Sequence, residues 1–154
     1  MEIINLTQEN FELYKDELIE INDAFLVEID SEKERTQDQK EAILKNMIKT
    51  GSPTRIFIGI TKEKKMAGMT YFNVGTGYSC GGDYLWLNSI YIRPEEQKKG
   101  YGTMLLNAVE KWAKENKITL FVSSRDKDND KSKKLFNRLE FKQSEMIWMN
   151  KIVG

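Results

Sequence analysis

The chain has 154 residues and equal numbers of basic and acidic side chains, 24 of each, so its formal net charge at pH 7 is zero. That balance argues against nucleic acid or a membrane as a partner. One cysteine and no histidine exclude an internal disulfide, argue against a metal site, and remove every imidazole-dependent nucleophile. The cysteine usage and an N-terminus unlike a signal peptide indicate a cytoplasmic protein.

The first half of the chain has strand patterns at its two ends and helix patterns between them. Apolar residues recur at helical spacing after Thr7, and the charge-rich segment that follows has a thinner apolar stripe. The predicted elements are a strand over residues 2–6, a helix capped by Thr7, a helix from Ser31 to about Lys49, and strands over residues 55–60 and 66–72.

The second half begins with a glycine-rich connection over residues 75–82. The predicted elements are strands over residues 84–92 and 117–122 with a helix over 103–115 between them, a helix capped by Asn129 or Asp130, and closing strands over residues 141–142 and 145–152. Strand, helix and strand in succession make a right-handed crossover between parallel strands. The sequence therefore predicts one α/β domain over residues 1–154, with a mixed, mostly antiparallel sheet, a βαβ crossover and flanking helices.

Residues 97–102, Gln-Lys-Lys-Gly-Tyr-Gly, are the most informative stretch, because they join an apolar strand to a helix. A glycine-bearing turn at a helix start directs backbone N–H groups at one point, which suits a phosphate group. Leu105 stands where a dinucleotide-binding loop has its third glycine, and the Gly-Lys-Ser/Thr of a P-loop is missing. The residues alone leave an anion-binding loop and an ordinary turn equally open.

Two motifs resemble the GNAT superfamily of N-acetyltransferases. Ile90-Tyr-Ile-x-Pro-x-x-Gln-x-x-Gly-x-Gly102 is similar to that family's acetyl-CoA-binding motif, and Asn129-x-x-Ser-x-x-Leu-Phe-x-x-Leu-x-Phe141 is similar to its last helix. The resemblance implies a GNAT fold and an enzyme that transfers acetyl from acetyl-CoA to a primary amine by direct attack. The acceptor would be a small cationic amine or a peptide or lysine amine.

The resemblance also implies where acetyl-CoA binds. Backbone N–H groups of residues 97–102 and the following helix dipole would hold the pyrophosphate. The strand at residues 90–92 would pair with the pantetheine arm, and the N–H of Ile90 or Ile92 would polarise the thioester carbonyl. The residues implied for acetyl-CoA are Ile90, Tyr91, Ile92, Gln97, Lys98, Lys99, Gly100, Tyr101, Gly102, Thr103, Asn129 and Ser132.

The catalytic residues stay unassigned. Phe136 stands where the family often has a tyrosine that protonates the leaving thiolate, which leaves Ser132, water or departure of a free thiolate as alternatives. The alternatives for a general base are a water held by Asn88 and Ser89, or the side chain of Asp83, Tyr84 or Glu28.

The first two helices and the loop before the motif strand select the acceptor in this family. Residues 9–41 hold twelve acids against four bases, which fits either a cationic amine or an ordinary acidic helix surface. The residues implied for the acceptor are Phe25, Glu28, Tyr84 and Asn88. A non-catalytic acyl-CoA-binding or regulatory module of the same fold is the alternative function. The sequence does not determine which amine is the acceptor, whether acyl groups other than acetyl are used, or whether the protein forms a homodimer.

Overall fold

The computed structural model describes residues 1–145, and its contacts divide the chain into two compact units, Met1–Ser124 and Arg125–Gly154. The first unit contains β1 (Glu2–Asn5), α1 (Phe11–Glu28), α2 (Gln37–Ile48), β2 (Thr54–Ile60), β3 (Met66–Gly77), β4 (Gly82–Ile92), a 3₁₀ turn (Pro94–Glu96), α3 (Tyr101–Glu115) and β5 (Leu120–Ser123). The second unit contains α4 (Asp130–Arg138). Among the described residues, no helix has the length and apolarity that a membrane span requires.

A five-stranded sheet in the order β1-β2-β3-β4-β5 forms the framework of the first unit. The first four strands pair antiparallel, and β5 pairs parallel to β4. Because α3 connects the two parallel strands, the predicted βαβ crossover and the mixed, mostly antiparallel sheet are confirmed.

One face of the sheet is covered by α1 and α2. Leu18 and Ile21 of α1 and Leu44 of α2 are buried in one apolar cluster with Ile58 and Met69 of the sheet. Fully burying side chains of this size stabilises the fold by roughly 1.5–3 kcal/mol each. This packing fixes α1 against β3 and β4, the strands that carry the candidate site.

The other face is covered by α3. Its buried residues are Leu105, Leu106, Val109 and Ala113. The Phe72 ring of β3 lies 5.2 Å from the Phe57 ring of β2 and 5.2 Å from the Trp112 ring of α3, centroid to centroid. The apolar stripe of α3 therefore packs it on the sheet and holds its first turn near the end of β4.

The first helix begins at Phe11, later than its predicted cap, Thr7. The residues before it form a turn in which the Thr7 N–H donates to Asn10 Oδ1 at 2.8 Å and Asn10 Nδ2 donates to Asn5 O at 3.0 Å. Thr7 thus enters the turn through its backbone, and the prediction that its side chain caps the helix was wrong.

The second helix begins at Gln37, not after Ser31. Thr36 and Gln39 form a capping box, in which Thr36 Oγ1 accepts from the Gln39 N–H at 3.3 Å and Gln39 Oε1 accepts from the Thr36 N–H at 2.9 Å. These reciprocal bonds satisfy two N–H groups at the start of the helix. The cap at Thr36 therefore replaces the predicted one at Ser31.

The glycine-rich connection between β3 and β4 is shorter than predicted, because β3 continues to Gly77 and β4 begins at Gly82. Gly75 stays in the strand with the Tyr84 ring packed over it: a Cβ at Gly75 would lie 2.5 Å from Tyr84 Cζ. A side chain at Gly75 would displace that ring.

The predicted strand over residues 141–142 was wrong. In the second unit, the Phe141 N–H donates to Phe136 O at 3.0 Å, and the two rings pack with centroids 5.0 Å apart. Phe141 therefore closes the end of α4. The predicted strand over residues 145–152 lies outside the described residues apart from Glu145, which is not in a strand.

Candidate active site

β4 separates from β5 partway along its length. The two strands pair from Tyr84 with Leu120 to Leu87 with Ser123. Beyond that point, residues 88–92 of β4 pair only with β3 in the part of the chain that the structure describes. We call the side of residues 88–92 that faces away from β3 the open edge. It spans about 16 Å of strand.

The separation coincides with a β-bulge at Asn88. Tyr71 of β3 pairs with Ser89, and the next residue, Phe72, pairs with Leu87, so Asn88 is the extra residue in β4. An extra residue bends its strand and increases the local twist. The bulge therefore accounts for the divergence of β4 from β5.

The backbone of Ile90 and Ile92 is directed to the open edge. The Arg93 N–H, just after β4, donates to Ala67 O of β3 at 2.9 Å. In an antiparallel pair, residues that bond to the partner strand alternate with residues whose N–H and C=O point away from it. Counting back from Arg93, Ile92 and Ile90 point away from β3. Their N–H groups are therefore directed to the open edge, and the family resemblance implies that one of them binds the thioester carbonyl.

Two side chains hold the end of β4. Gln97 Nε2 donates to Ile92 O at 3.0 Å, and Arg93 Nε donates to Met66 O at 2.9 Å. The Gln97 N–H also donates to Pro94 O at 3.3 Å. Gln97, implied as a pyrophosphate ligand, therefore fixes the 97–102 loop against β4 through bonds within the protein.

The 97–102 loop places two left-handed residues at the start of α3, with φ 63° at Lys98 and φ 81° at Gly100. Gly100 is the N-cap of α3 and, as glycine, offers no side chain to the first N–H groups. Left-handed residues turn neighbouring N–H groups to one side, and the helix dipole adds partial positive charge there. The first turn, residues 101–104, is uncharged. This geometry suits an anion.

The two lysines of the loop differ in their surroundings. Lys99 Nζ lies 2.9 Å from Glu96 Oε2, and this hydrogen bond raises the pKa of Lys99. Lys98 is exposed, and its left-handed backbone lies within the loop. The charge of Lys99 is partly neutralised by Glu96, so Lys98 is the better placed of the two to meet a phosphate.

The C-terminal end of α1 lies against the half of β4 that carries the open edge. The Phe25 ring centroid is 5.8 Å from that of Tyr91, which is 7% exposed. Burial, and then the negative charge of Glu28, raises the pKa of Tyr91, so the phenol stays neutral at pH 7. A helix C-terminus carries partial negative charge, to which Glu28 adds. This aromatic, electronegative corner suits a cation.

Part of the acidic excess of residues 9–41 is engaged in ion pairs. The pairs are Lys15–Glu12 at 2.9 Å, Lys15–Glu41 at 3.3 Å, Lys45–Glu12 at 3.5 Å, Lys45–Glu41 at 2.5 Å, Lys40–Asp23 at 2.7 Å and Arg93–Glu20 at 2.8 Å. In addition, the Glu17 carboxylate accepts from the Met66 N–H at 2.7 Å. These acids connect α1 to α2 and to the sheet, so their role is at least partly structural.

Tyr84 and Asp83 lie at the far end of β4 from the open edge. Tyr84 is four residues before Asn88, or about 13 Å along the strand. Its ring packs over Gly75, and Asp83 Oδ1 accepts from Thr76 Oγ1 at 2.6 Å. The structure therefore does not bring these two candidates for acceptor binding or general base together with the outward-facing N–H groups.

The predicted site residues Asn129 and Ser132 lie at the start of α4, in the second unit. Asn129 Oδ1 accepts from the Ser132 N–H at 3.0 Å, which makes Asn129 the N-cap of α4. Phe136 is buried, with its ring against Phe141. The Asn-x-x-Ser spacing therefore caps α4. Phe136, at the position where the family often has a tyrosine, packs against Phe141.

Two polar contacts beside the bulge were missed by sequence reasoning. Thr70, which is fully buried, donates from Oγ1 to Ser89 O at 2.8 Å. The Tyr71 hydroxyl donates to Asn22 Oδ1 of α1, and burial raises the pKa of Tyr71. Asn22 and Tyr71 are 49 residues apart in the sequence, so only the folded sheet reveals their contact.

The mixed sheet, the open edge and the glycine-capped start of α3 agree with an acyltransferase of the GNAT class. Residues 11–141 match the acetyltransferase (GNAT) family. Because this match spans most of the chain, the chain belongs to that family, whose members use acetyl-CoA as co-substrate.

Several known proteins are similar to the chain. An aminoglycoside N(6')-acetyltransferase type 1 from Acinetobacter haemolyticus is 34% identical over 62 residues, which cover 40% of this chain and 43% of that protein. The chain thus matches less than half the length of this curated relative.

Solved structures agree over nearly the whole chain. An aminoglycoside acetyltransferase from an uncultured soil metagenomic sample, in complex with sisomicin, has a TM-score of 0.83 at 14% identity, covering 99% of this chain and 96% of that one. The aminoglycoside antibiotic 6'-N-acetyltransferase of Acinetobacter baumannii has a TM-score of 0.75 at 20% identity and covers 99% of both chains. At these identities the likeness establishes the fold.

Proposed function

We propose that the chain transfers the acetyl group of acetyl-CoA to a primary amine of a small cationic acceptor of the aminoglycoside kind. Binding of the donor, acetyl-CoA, is supported by one observation, the open edge of β4. There the N–H of Ile90 faces outward between the bulge at Asn88 and the start of α3. A pantetheine arm laid along the open edge would take the place of a further strand, and its pyrophosphate would meet the 97–102 loop.

The reaction needs few side chains of the protein. The amine nitrogen forms a bond to the thioester carbonyl carbon, and the Ile90 N–H stabilises the negative charge that develops on the carbonyl oxygen. The C–S bond then breaks, and the CoA thiolate takes a proton from water. A thiol pKa of about 8.5 makes that departure feasible without an acid at the position of Phe136. The proton of the amine leaves through water at the bulge.

The acceptor class rests on the corner formed by α1 and β4. Phe25, which is partly buried against Tyr91, supplies aromatic surface, and Glu28 and the end of α1 supply negative potential. Aromatic faces and carboxylates attract ammonium groups. The similarity to an aminoglycoside N(6')-acetyltransferase supports the same class.

A panel assay tests the proposal. The protein is incubated with acetyl-CoA and, separately, with an aminoglycoside, a linear polyamine and a lysine-containing peptide, and the products are identified by mass spectrometry. We expect acetylated aminoglycoside. Acetyl-CoA binding by calorimetry without turnover of any amine would favour the non-catalytic acyl-CoA-binding module, and acetylation of the peptide alone would overturn the acceptor class.

The rate should follow the protonation state of the acceptor. The chain has no histidine, and burial raises the pKa of Tyr71 and of Tyr91, so both phenols are neutral at pH 7. An alkylamine with a pKa well above 8 has a neutral fraction that rises tenfold per pH unit. We therefore expect log kcat/KM to rise with unit slope from pH 6 to 8. An inflection near pH 6.5 would contradict direct attack without a titrating enzyme base.

Glu28→Gln should weaken binding of the acceptor amine without affecting binding of acetyl-CoA. The substitution keeps the shape and removes the charge at the end of α1, and an exposed charge pair is worth roughly 0.2–1 kcal/mol. We expect KM for a cationic amine to rise about two- to fivefold at low salt, with KM for acetyl-CoA unchanged. Steady-state kinetics with both substrates measures the difference.

Glu9→Gln is the matched control, because Glu9 precedes α1 and Glu28 ends it, and the 18 residues of this helix span about 27 Å. Added salt should reduce the effect of Glu28→Gln, since salt screens exposed charges. Equal changes in the two variants would mean that the effect comes from net charge alone.

A further inference from the structure

Thr70 is a buried polar residue in an apolar part of the sheet. It is 0% exposed and pairs with Phe57 of β2 on one side and with Ile90 of β4 on the other. Its Oγ1 donates to Ser89 O at 2.8 Å. A buried hydroxyl needs a partner, and here the partner is the carbonyl just after the bulge.

The Ser89 carbonyl and the Ile90 N–H belong to the same peptide group. In a trans peptide the C=O and the N–H point in opposite directions. The carbonyl faces β3, where Thr70 bonds to it, and the N–H faces the open edge. A hydrogen bond to the carbonyl of an amide strengthens its N–H as a donor, because hydrogen bonds in a chain polarise one another.

We infer that Thr70 is a positioning residue for acetyl transfer: its hydroxyl fixes and polarises the Ser89–Ile90 peptide, whose N–H stabilises the developing oxyanion. This inference rests on the proposed function. It gives Thr70 no contact with either substrate, and it predicts an effect on turnover that exceeds any effect on binding.

Thr70→Val is a clean test of the hydroxyl. Valine has nearly the same shape as threonine, but its methyl group replaces the hydroxyl, so the substitution changes the polarity at this position. By the alternation of the antiparallel pair, Ser89 also bonds to β3 through its backbone, so the Ser89 carbonyl keeps a partner when the hydroxyl is removed. Thr70→Ser, which keeps the hydroxyl and loses the methyl group, is the matched control.

One oxyanion donor is worth about 10²–10³ in kcat, and cooperative strengthening is roughly 10–30% of a bond. We therefore expect Thr70→Val to lower kcat about two- to eightfold, with KM for acetyl-CoA and for the amine unchanged. Thr70→Ser should restore most of kcat. The Ile90 amide proton should also shift upfield by NMR in Thr70→Val alone, because its N–H is then less polarised.

The outcomes separate the inference from the proposed function. No acetyl transfer by the wild-type protein would overturn the proposed function. Normal transfer by the wild type, with Thr70→Val equal to it in kcat, would overturn the role of Thr70 alone. A loss of kcat that follows thermal stability in both variants, with no change at the Ile90 amide, would make Thr70 a packing residue and would also overturn the inference.

Discussion

Gly100→Asp should bind acetyl-CoA about 100-fold more weakly than the wild-type protein. Gly100 has φ 81°, a conformation that aspartate tolerates better than most residues, and a Cβ there has nothing within 4 Å. The fold should therefore survive. The new carboxylate stands at the helix start proposed for the pyrophosphate, and like charges about 6 Å apart repel by about 2.8 kcal/mol at an effective dielectric of 20, which corresponds to about 100-fold in affinity. Calorimetric titration of acetyl-CoA measures the loss.

Two controls separate charge from backbone strain. Gly100→Asn has nearly the same shape without the charge, and it should lose much less affinity. Gly51→Asp puts the same side chain on a glycine that also has φ 81° and nothing within 4 Å, in the turn after α2. It should bind acetyl-CoA as the wild type does. Equal affinity of Gly100→Asp and Gly51→Asp would place the pyrophosphate elsewhere.

Ile90→Pro should lower kcat about 10²–10³-fold, the usual effect of removing one oxyanion donor. Proline lacks the N–H and is tolerated in strands where that N–H would not join the ladder. The N–H of Ile90 points away from β3, so the substitution removes no bond between β3 and β4. Single-turnover kinetics at saturating acetyl-CoA measures the chemical step.

Ile92→Pro is the matched control, because the Ile92 N–H faces the same open edge two residues further along. Its N–H shares a peptide group with the Tyr91 carbonyl, which receives no side-chain hydrogen bond like that from Thr70 to Ser89 O among the bonds that the structure describes. We expect Ile92→Pro to weaken acetyl-CoA binding and to keep kcat within about tenfold, well short of the loss of one oxyanion donor. The reverse pattern would assign the thioester carbonyl to Ile92.

The fold could be predicted from the sequence where local signals and motifs agreed. The apolar strand, the loop and the amphipathic helix that follow one another over residues 84–115 indicated the crossover, and the structure confirms it. The predicted start of α2 at Ser31 was wrong, because Thr36 and Gln39 carry a capping-box signal closer to the helix. That error was avoidable, because both residues of the box are visible in the sequence.

The site was less predictable, because its geometry depends on register. Asn88 was expected near the acceptor, but its place as a bulge depends on which residue of β3 faces Ser89, and no local pattern sets that. The role of Thr70 depends on the same register. Tyr84 is in the same strand and was expected in the site, yet strand geometry puts it about 13 Å from the bulge.

The charge pattern was ambiguous for a similar reason. Residues 9–41 are acidic, but whether an acid meets a substrate or a lysine depends on helix packing. Asp23 pairs with Lys40 across the two helices, and Glu28, at the end of α1, raises the pKa of Tyr91 through its charge. Composition could not separate these two cases.

A crystal structure with acetyl-CoA, or with a non-reactive thioether analogue, tests the central claim most directly. The measured quantity is the distance from the thioester carbonyl oxygen, or its equivalent, to the Ile90 nitrogen. We expect about 2.7–3.1 Å, with the pantetheine arm along the open edge and the pyrophosphate at the start of α3. A pantetheine arm bound away from residues 88–92, with no contact to the Ile90 N–H, would contradict the assignment.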